Sequence, residues 1–148
     1  MSDTVIAGLA LLVSVINVEL YYRLQGKYNE MTKTQMLTAQ GAIEIQVRNS
    51  ISDANKQVLY YATEVGKNPS SKVTQQAYFT AEEMYRNAYE DACAKYLDRK
   101  IDVERFEKMY KQEIYKLVND PQQKDFYATN QTAYASTVAV YKHWFSQS

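Results

Sequence analysis

The first 68 residues contain no proline, and they include only four glycines, at Gly8, Gly26, Gly41 and Gly66. Proline breaks or kinks a helix and glycine weakens one, so this stretch holds few helix-breaking residues. From residue 43, apolar side chains recur every three or four positions, the spacing of one helix face. The pattern predicts one long helix that ends near Glu64, with Gly26 and Gly41 as the points where it could break. The apolar positions are Ile43, Val47, Ile51, Ala54, Val58, Tyr61 and Val65.

A break at residues 66–71 follows this helix, because a helix-stopping glycine is followed by Pro69. We expect a second helix at about residues 72–97. Its N-cap would be Ser70 or Ser71, since a serine hydroxyl can accept a hydrogen bond from a free backbone N–H of the first turn.

A third helix is expected at residues 103–118, with Asp102 as its N-cap. Ile101 and Phe106 stand at the two positions of a hydrophobic staple, which fixes the angle at which the chain enters a helix. The residues expected to face inward are Val103, Phe106, Tyr110, Ile114 and Leu117.

The last part of the chain predicts a short helix within residues 122–130 and a final helix at about residues 132–145. The fold class expected is all-α, with an N-terminal transmembrane helix continuing into a long helix, then three main helices packed as a small bundle. The predicted division is a membrane anchor at 1–22, a helical stalk with coiled-coil potential at 23–66, and a helical cytosolic domain at 67–148. The final helix is predicted from Tyr134, Val138, Tyr141 and Phe145.

Residues 4–18 contain no ionisable side chain. Continued through the next four residues, the apolar stretch is 19 residues long and would span about 28 Å as a helix, close to the roughly 30 Å of a bilayer core. Paired tyrosines followed by a basic residue are typical of a membrane interface. The stretch predicts a single-pass transmembrane helix whose interface residues are Glu19, Tyr21, Tyr22 and Arg23.

The distribution of basic residues predicts the orientation of this helix. No Lys or Arg precedes it, whereas Arg23, Lys27 and Lys33 follow it, and positive charges favour the cytoplasmic side. We therefore expect the inner (cytoplasmic) membrane, with the N-terminus outside and the C-terminal domain cytoplasmic. A cleaved signal peptide is disfavoured, because only Asp3 is charged before the apolar stretch and no Ala-x-Ala pattern follows. Burial of residues 4–22 inside a larger protein assembly stays open.

One face of the predicted membrane helix carries small and weakly polar residues at 3-4-3 spacing: Ala7, Ala10, Ser14 and Asn17. Small residues let membrane helices approach closely, and asparagine can form hydrogen bonds across the contact. The stripe predicts a homo-oligomer, although such residues are also tolerated facing lipid.

A tyrosine stripe lies on the second helix, at spacings of 7, 4 and 7 residues. Tyrosine supplies both apolar area and a hydroxyl, which suits a recognition face, but an aromatic stripe on an amphipathic helix more often belongs to the core. We predict that the following residues form the helical core or a partner face: Tyr78, Tyr85, Tyr89, Tyr96, Phe106, Tyr110, Ile114, Tyr141 and Trp144.

The sequence contains few candidate residues for catalysis or for metal binding. One Cys and one His exclude an internal disulfide and a His-rich metal site, and no glycine-rich phosphate loop precedes a helix. Glu83 and Glu90 are interpreted as a solvated face, Cys93 as a packing residue, and His143 as lacking a catalytic partner. With 17 basic and 17 acidic residues, nucleic-acid binding is not expected. We predict no enzyme activity, no catalytic residues, no metal and no cofactor.

The run NAYEDACAKYLDRKIDVERF at residues 87–106, with the closing YKHW at residues 141–144, resembles uncharacterised small bacterial and phage-associated proteins. Those proteins look like chains with an N-terminal membrane helix and a helical cytosolic domain. The likeness covers about residues 70–146. It implies a setting in phage or mobile-element conflict and provides no catalytic residues.

The function expected is a membrane-anchored α-helical interaction or scaffold protein. It would be oligomeric through its N-terminal helix and would present the cytosolic domain to an unidentified protein partner. One alternative is a membrane-active effector or small channel subunit whose pore is lined by Ser14, Asn17 and Glu19. Another is a soluble helical subunit whose apolar N-terminal helix is buried in a larger assembly.

Overall fold

The computed structural model of the chain describes residues 3–128 and 132–146, with side chains from residue 17 onward in those ranges. This part of the chain contains no strand, which confirms the all-α class. It divides into two compact units, residues 1–39 and residues 40–148; the second is called the bundle below. The elements are α1 (Asp3–Lys67), α2 (Lys72–Leu97), α3 (Val103–Asn119), a 3₁₀ turn (Lys124–Phe126) and α4 (Ala135–Phe145).

Helix α1 is continuous through Gly26 and Gly41 and ends three residues beyond the predicted position. Within the bundle, its apolar stripe behaves as the spacing predicts. Val47, Ile51 and Ala54 are buried in the core, and the other four stripe residues are half-buried. Periodicity alone therefore identifies the inward face of this part of α1.

The predicted helix caps are present. Ser71 Oγ accepts a hydrogen bond from the Thr74 backbone N–H at 3.3 Å, and Asp102 Oδ1 accepts one from the Arg105 N–H at 2.9 Å. The ends of α2 match the prediction and α3 is one residue longer. Ile101 and Phe106 are both buried, as the hydrophobic staple requires.

Helix α2 ends in a left-handed turn made by a residue other than glycine. Arg99 has φ 55°, and the following N–H, of Lys100, donates to the Lys95 carbonyl at 2.9 Å. This bond closes the Schellman geometry that usually has glycine at the left-handed position. A side chain in this conformation costs about 1 kcal/mol.

The bundle core is one apolar cluster to which α1, α2, α3 and α4 all contribute. Aromatic rings form much of it: the ring of Tyr96 lies 5.4 Å, centroid to centroid, from both Phe106 and Trp144. Its fully buried members include Ala92, Cys93, Ile114 and Val140.

Two predictions about α3 and α4 are wrong. Val103 is exposed, because it is the first residue of α3 and lies at the end of the apolar face. Helix α4 begins at Ala135, since Thr132 Oγ1 donates to the Phe126 carbonyl and accepts from the Tyr134 N–H, which holds a turn. Within residues 122–128, only the short 3₁₀ turn is helical.

The buried face of α4 also differs from the predicted one. The buried residues are Tyr134, Thr137, Val140 and Trp144, whereas Val138, Tyr141 and Phe145 are half-buried. The predicted stripe consists of Tyr134, Val138, Tyr141 and Phe145 and does not include Thr137. Thr137 is fully buried because its polar groups are hydrogen-bonded inside the protein.

The structure groups the chain differently from the predicted anchor, stalk and cytosolic domain. Residues 40–67, expected to belong to a stalk, supply part of the bundle core. In the part of the chain that the structure describes, no helix is long and apolar enough to cross a membrane. Residues 4–16 of the predicted transmembrane helix lie outside the described side chains, so that helix stays a prediction.

Candidate functional site

Residues 17–39, called the exposed segment below, form the part of α1 in the first compact unit whose side chains are described. Every residue in it is exposed. A contiguous set of large apolar side chains of this size is uncommon on a monomeric protein surface, and a helix gains most of its stability from packing an apolar face. The exposed segment therefore has the properties of a surface that another molecule covers. Nine of its large apolar side chains are at least half exposed: Val18, Leu20, Tyr21, Tyr22, Leu24, Tyr28, Met31, Met36 and Leu37.

The predicted membrane-interface residues lie at the start of this segment. Arg23 Nη2 and Glu19 Oε1 form an exposed ion pair at 2.6 Å, and the rings of Tyr21 and Tyr22 meet edge to face at 5.9 Å. Asn17 is exposed. The other three predicted helix-packing residues, Ala7, Ala10 and Ser14, lie outside the described side chains.

The tyrosine stripe of α2 lies mainly in the core. Tyr89 and Tyr96 are buried, and Tyr78 and Tyr85 are half-buried. The hydroxyl of Tyr96 accepts a hydrogen bond from Trp144 Nε1 at 3.1 Å, which joins α2 to α4. Of the remaining residues predicted as core or partner face, Tyr141 is half-buried and the other four are buried: Phe106, Tyr110, Ile114 and Trp144.

The tyrosine hydroxyls reach polar partners at the edge of this core. Tyr89 donates a hydrogen bond to Glu113 Oε2 at 2.5 Å, and Tyr85 donates to the Tyr89 hydroxyl at 3.5 Å. Burial, together with the bond to Glu113, raises the pKa of Tyr89 well above its usual value. Tyr78 donates to Glu82 at 2.9 Å. These hydroxyls are occupied within the protein, so the stripe offers few free groups to a partner.

Sequence reasoning missed a buried arginine in α2. Arg86 is only 6% exposed, although it stands four residues after Glu82, a spacing that also suits an ion pair on a helix surface. Its Nε donates to the Tyr134 hydroxyl at 3.2 Å, and its Nη1 donates to Gln123 Oε1 at 2.6 Å. Its guanidinium carbon lies 3.9 Å from the ring centroid of Phe126, within cation–π range. Arg86 thus holds the connection between α3 and α4 against α2.

Glu82 is linked to the same network through Gln123, whose Nε2 donates to Glu82 Oε1 at 3.0 Å. A cavity of about 430 Å³ lies beside these groups and is lined by Glu83 as well. The two carboxylates on its wall disfavour an anionic ligand, and the arginine already holds protein partners. The local sequence carries no signal for this network, because its members lie 37 to 48 residues apart.

The interpretation of Glu90 as a solvated residue is wrong. Its Oε1 accepts from the Ser136 N–H at 2.8 Å, and its Oε2 accepts from the Thr137 N–H and hydroxyl, each at 2.9 Å. The first backbone N–H groups of a helix have no partners within that helix, and the helix dipole favours a negative charge there. The N-cap residue Tyr134 supplies no side-chain bond, so a carboxylate from α2 caps α4. Glu83 is exposed, as predicted.

The remaining candidates for chemistry lie apart from one another. Cys93 is fully buried, and burial raises the pKa of its thiol to about 12, which keeps it protonated at neutral pH. His143 is exposed, on an open groove of about 780 Å³ that is also lined by Arg99 and Glu104. Among the described residues there is no group of three or more His, Cys, Asp or Glu side chains that could hold a metal ion.

A second open groove, of about 640 Å³, lies between the end of α1 and the start of α2. Tyr61, Val73 and Ala77 line it, and Val73 is strongly exposed.

Comparison of the chain with protein-family models, with curated proteins and with solved structures finds no match in any of the three. Of the described surfaces, the exposed segment is the strongest candidate functional surface, because its large apolar side chains are uncovered.

Proposed function

We propose that this chain is a membrane-anchored α-helical interaction protein. Residues 4–22 insert into the inner membrane with the N-terminus outside, and the bundle is displayed in the cytoplasm to a protein partner. The observation that supports this most is the exposed segment, because its large apolar side chains have no cover within the described chain. Lipid would cover the first of them, and the proposal rests on that requirement.

The sequence before the exposed segment supports the same function. Fifteen residues without an ionisable group precede Glu19, and the apolar side chains of Val18 and Leu20 continue that stretch. Tyr21, Tyr22 and Arg23 follow, all exposed, with the residue types that favour the headgroup region of a membrane.

Membrane fractionation tests the anchor. We expect the full chain to sediment with membranes and to stay there in alkaline carbonate, which strips peripheral proteins. Leu12→Arg places a charge at the centre of the apolar stretch and costs about 2.5 to 3.5 kcal/mol of insertion free energy. It should release a large fraction of the chain, whereas the matched control Gln25→Arg, outside the stretch, should not. Release of the wild-type chain by carbonate would refute the anchor and would favour a helix buried in a larger assembly.

Orientation is tested separately with single cysteines and a membrane-impermeant maleimide applied to intact cells. The only native cysteine is fully buried, so the wild-type chain serves as the blank. We expect Ser2→Cys to be labelled without lysis and Asn29→Cys only after lysis. Labelling in the opposite order would show that the bundle lies outside.

A further inference from the structure

The exposed segment carries a regular seam of residues spaced alternately by four and three positions. This spacing repeats every seven residues and is the pattern of the a and d positions of a coiled coil. All the seam residues are exposed, so nothing in the described chain covers them. Setting Tyr21 as position a, the seam is Asn17, Tyr21, Leu24, Tyr28, Met31, Gln35 and Thr38.

Charged residues avoid this seam. Of the five in the exposed segment, only Lys27 flanks it, at position g. Parallel pairing in register would place Lys27 opposite Thr32 of a second copy, so like charges would not meet. The other four, at the outer c and f positions, are Glu19, Arg23, Glu30 and Lys33.

The hydroxyl groups of the threonines on and beside the seam already have hydrogen-bond acceptors within the helix. Thr32 and Thr34 flank the seam, and Thr38 belongs to it. Their hydroxyls donate to the Tyr28, Glu30 and Thr34 carbonyls, respectively, one helical turn earlier, each at 2.9 Å. Because the donors are satisfied within the helix, these side chains can be buried without leaving an unpaired hydroxyl hydrogen.

We propose that a second copy of this chain covers the seam, so that residues 17–38 form a parallel, in-register coiled coil. The inference rests on the proposed function, since anchors in one membrane orient all copies alike. Lipid alone would account for Val18 and Leu20, which continue the apolar stretch of the anchor. It would not cover Tyr28 and Met31, because charged and amide side chains surround them from Lys27 onward.

Disulfide formation between single cysteines in the full chain, oxidised in its membranes, tests the seam. Leu24→Cys and Met31→Cys lie at d positions, where side chains of parallel copies meet. The matched controls, Asn29→Cys and Lys33→Cys, lie at b and f positions on the outside. Cysteines facing each other satisfy the short Cβ–Cβ separation that a disulfide needs, so we expect dimers to form at least about tenfold faster at the d positions. The wild-type chain should form none, because Cys93 is fully buried.

The outcomes separate the two proposals. Equal rates at all four positions, or no dimer at any of them, in a chain that resists carbonate would overturn the seam and leave the anchor standing. Faster reaction at the d positions in a chain that carbonate releases would support the seam and refute the anchor. Leu24→Gln with Met31→Gln should also lower the oligomer mass measured by light scattering in detergent, whereas Asn29→Gln should not. Because these positions are exposed and lie outside the bundle core, unchanged fluorescence of the buried Trp144 is expected for every variant.

Discussion

Replacing Glu90 with alanine tests whether a carboxylate from α2 caps α4. The substitution removes the acceptor of three hydrogen bonds, two from backbone N–H groups and one from the Thr137 hydroxyl. Thr137 is fully buried, so its hydroxyl would lose its partner in a place that water reaches poorly. The anion at the helix N-terminus would be lost as well.

The expected loss follows from these contacts. Hydrogen bonds to a charged group contribute about 1.5 to 3 kcal/mol each, and a buried donor left unpaired costs about 1 to 3 kcal/mol. Water can replace part of this at the half-buried Ser136, so we expect Glu90→Ala to lower the free energy of unfolding by about 3 kcal/mol. Glu90→Gln keeps one carbonyl oxygen and should lose about half as much. Glu83→Ala, two turns earlier on an exposed position, should change it by less than about 0.5 kcal/mol.

Urea unfolding provides the assay, followed by the fluorescence of Trp144, the only tryptophan, which lies buried in α4. With a slope of about 1.5 to 2 kcal/mol per molar urea, the midpoint for Glu90→Ala should fall by about 1.5 to 2 M. Modification of Cys93 by a thiol reagent should quicken in parallel, because its thiol contacts Thr137. Equal midpoints for Glu90→Ala and Glu83→Ala would refute the proposed cap.

Five further predictions concern the bundle. Arg86→Ala should lower the free energy of unfolding by about 2 to 4 kcal/mol and speed hydrogen exchange in the turn before α4, since both hydrogen bonds and the ring contact are lost. Arg99→Gly should raise the urea midpoint by the equivalent of about 0.5 to 1 kcal/mol, because glycine adopts the left-handed turn without strain; an unchanged midpoint would contradict this. Tyr127→Phe should cost nothing or stabilise by up to about 1 kcal/mol, because the buried Tyr127 hydroxyl has no partner among the described residues. Tyr89→Phe, which removes a bonded hydroxyl, should destabilise by a similar amount. Stability should fall in alkali, because burial raises the pKa of Cys93 from an ordinary value of about 9 to about 12. The contribution of the buried, protonated thiol is complete below about pH 9 and is lost at up to about 1.4 kcal/mol per pH unit above it. Urea midpoints that stay constant from about pH 8 to about pH 11 would contradict this.

The sequence predicted the helices of the bundle well because their signals are local. The caps at Ser71 and Asp102, the staple of Ile101 and Phe106, and the apolar spacing of α1 each depend on residues within two turns of one another. Such patterns place a helix and its inward face without knowledge of the rest of the chain. The predicted start of α4 at about residue 132 is wrong, because the Thr132 side chain forms hydrogen bonds that hold a turn there in place of the helix.

The polar contacts of the site could not be predicted, because each joins residues far apart in sequence. Glu90 meets α4 46 residues later, and Arg86 meets Gln123 37 residues later. On their own helix, both charges occur at spacings that also suit a solvated surface. Only tertiary packing makes Glu90 the cap of α4 and buries Arg86 against the connection between α3 and α4. The misplaced face of α4 has the same origin, since Thr137 is buried only because Glu90 accepts its hydrogen bonds.

The two parts of α1 differ in what covers them, although both carry an apolar stripe at helical spacing. In residues 43–54 the stripe packs into or against the core of the bundle, so this part is stabilised by the chain itself. In residues 17–38 the stripe is exposed at every position, and a helix of that length gains little stability in water from propensity alone. A partner from outside the described chain must supply the missing burial if this part is to stay helical. The two proposals divide this part of α1 by the order of its residues: lipid would cover Val18 and Leu20, which continue the apolar stretch, whereas a second copy of the helix would cover Tyr28 and Met31, whose sequence neighbours are polar.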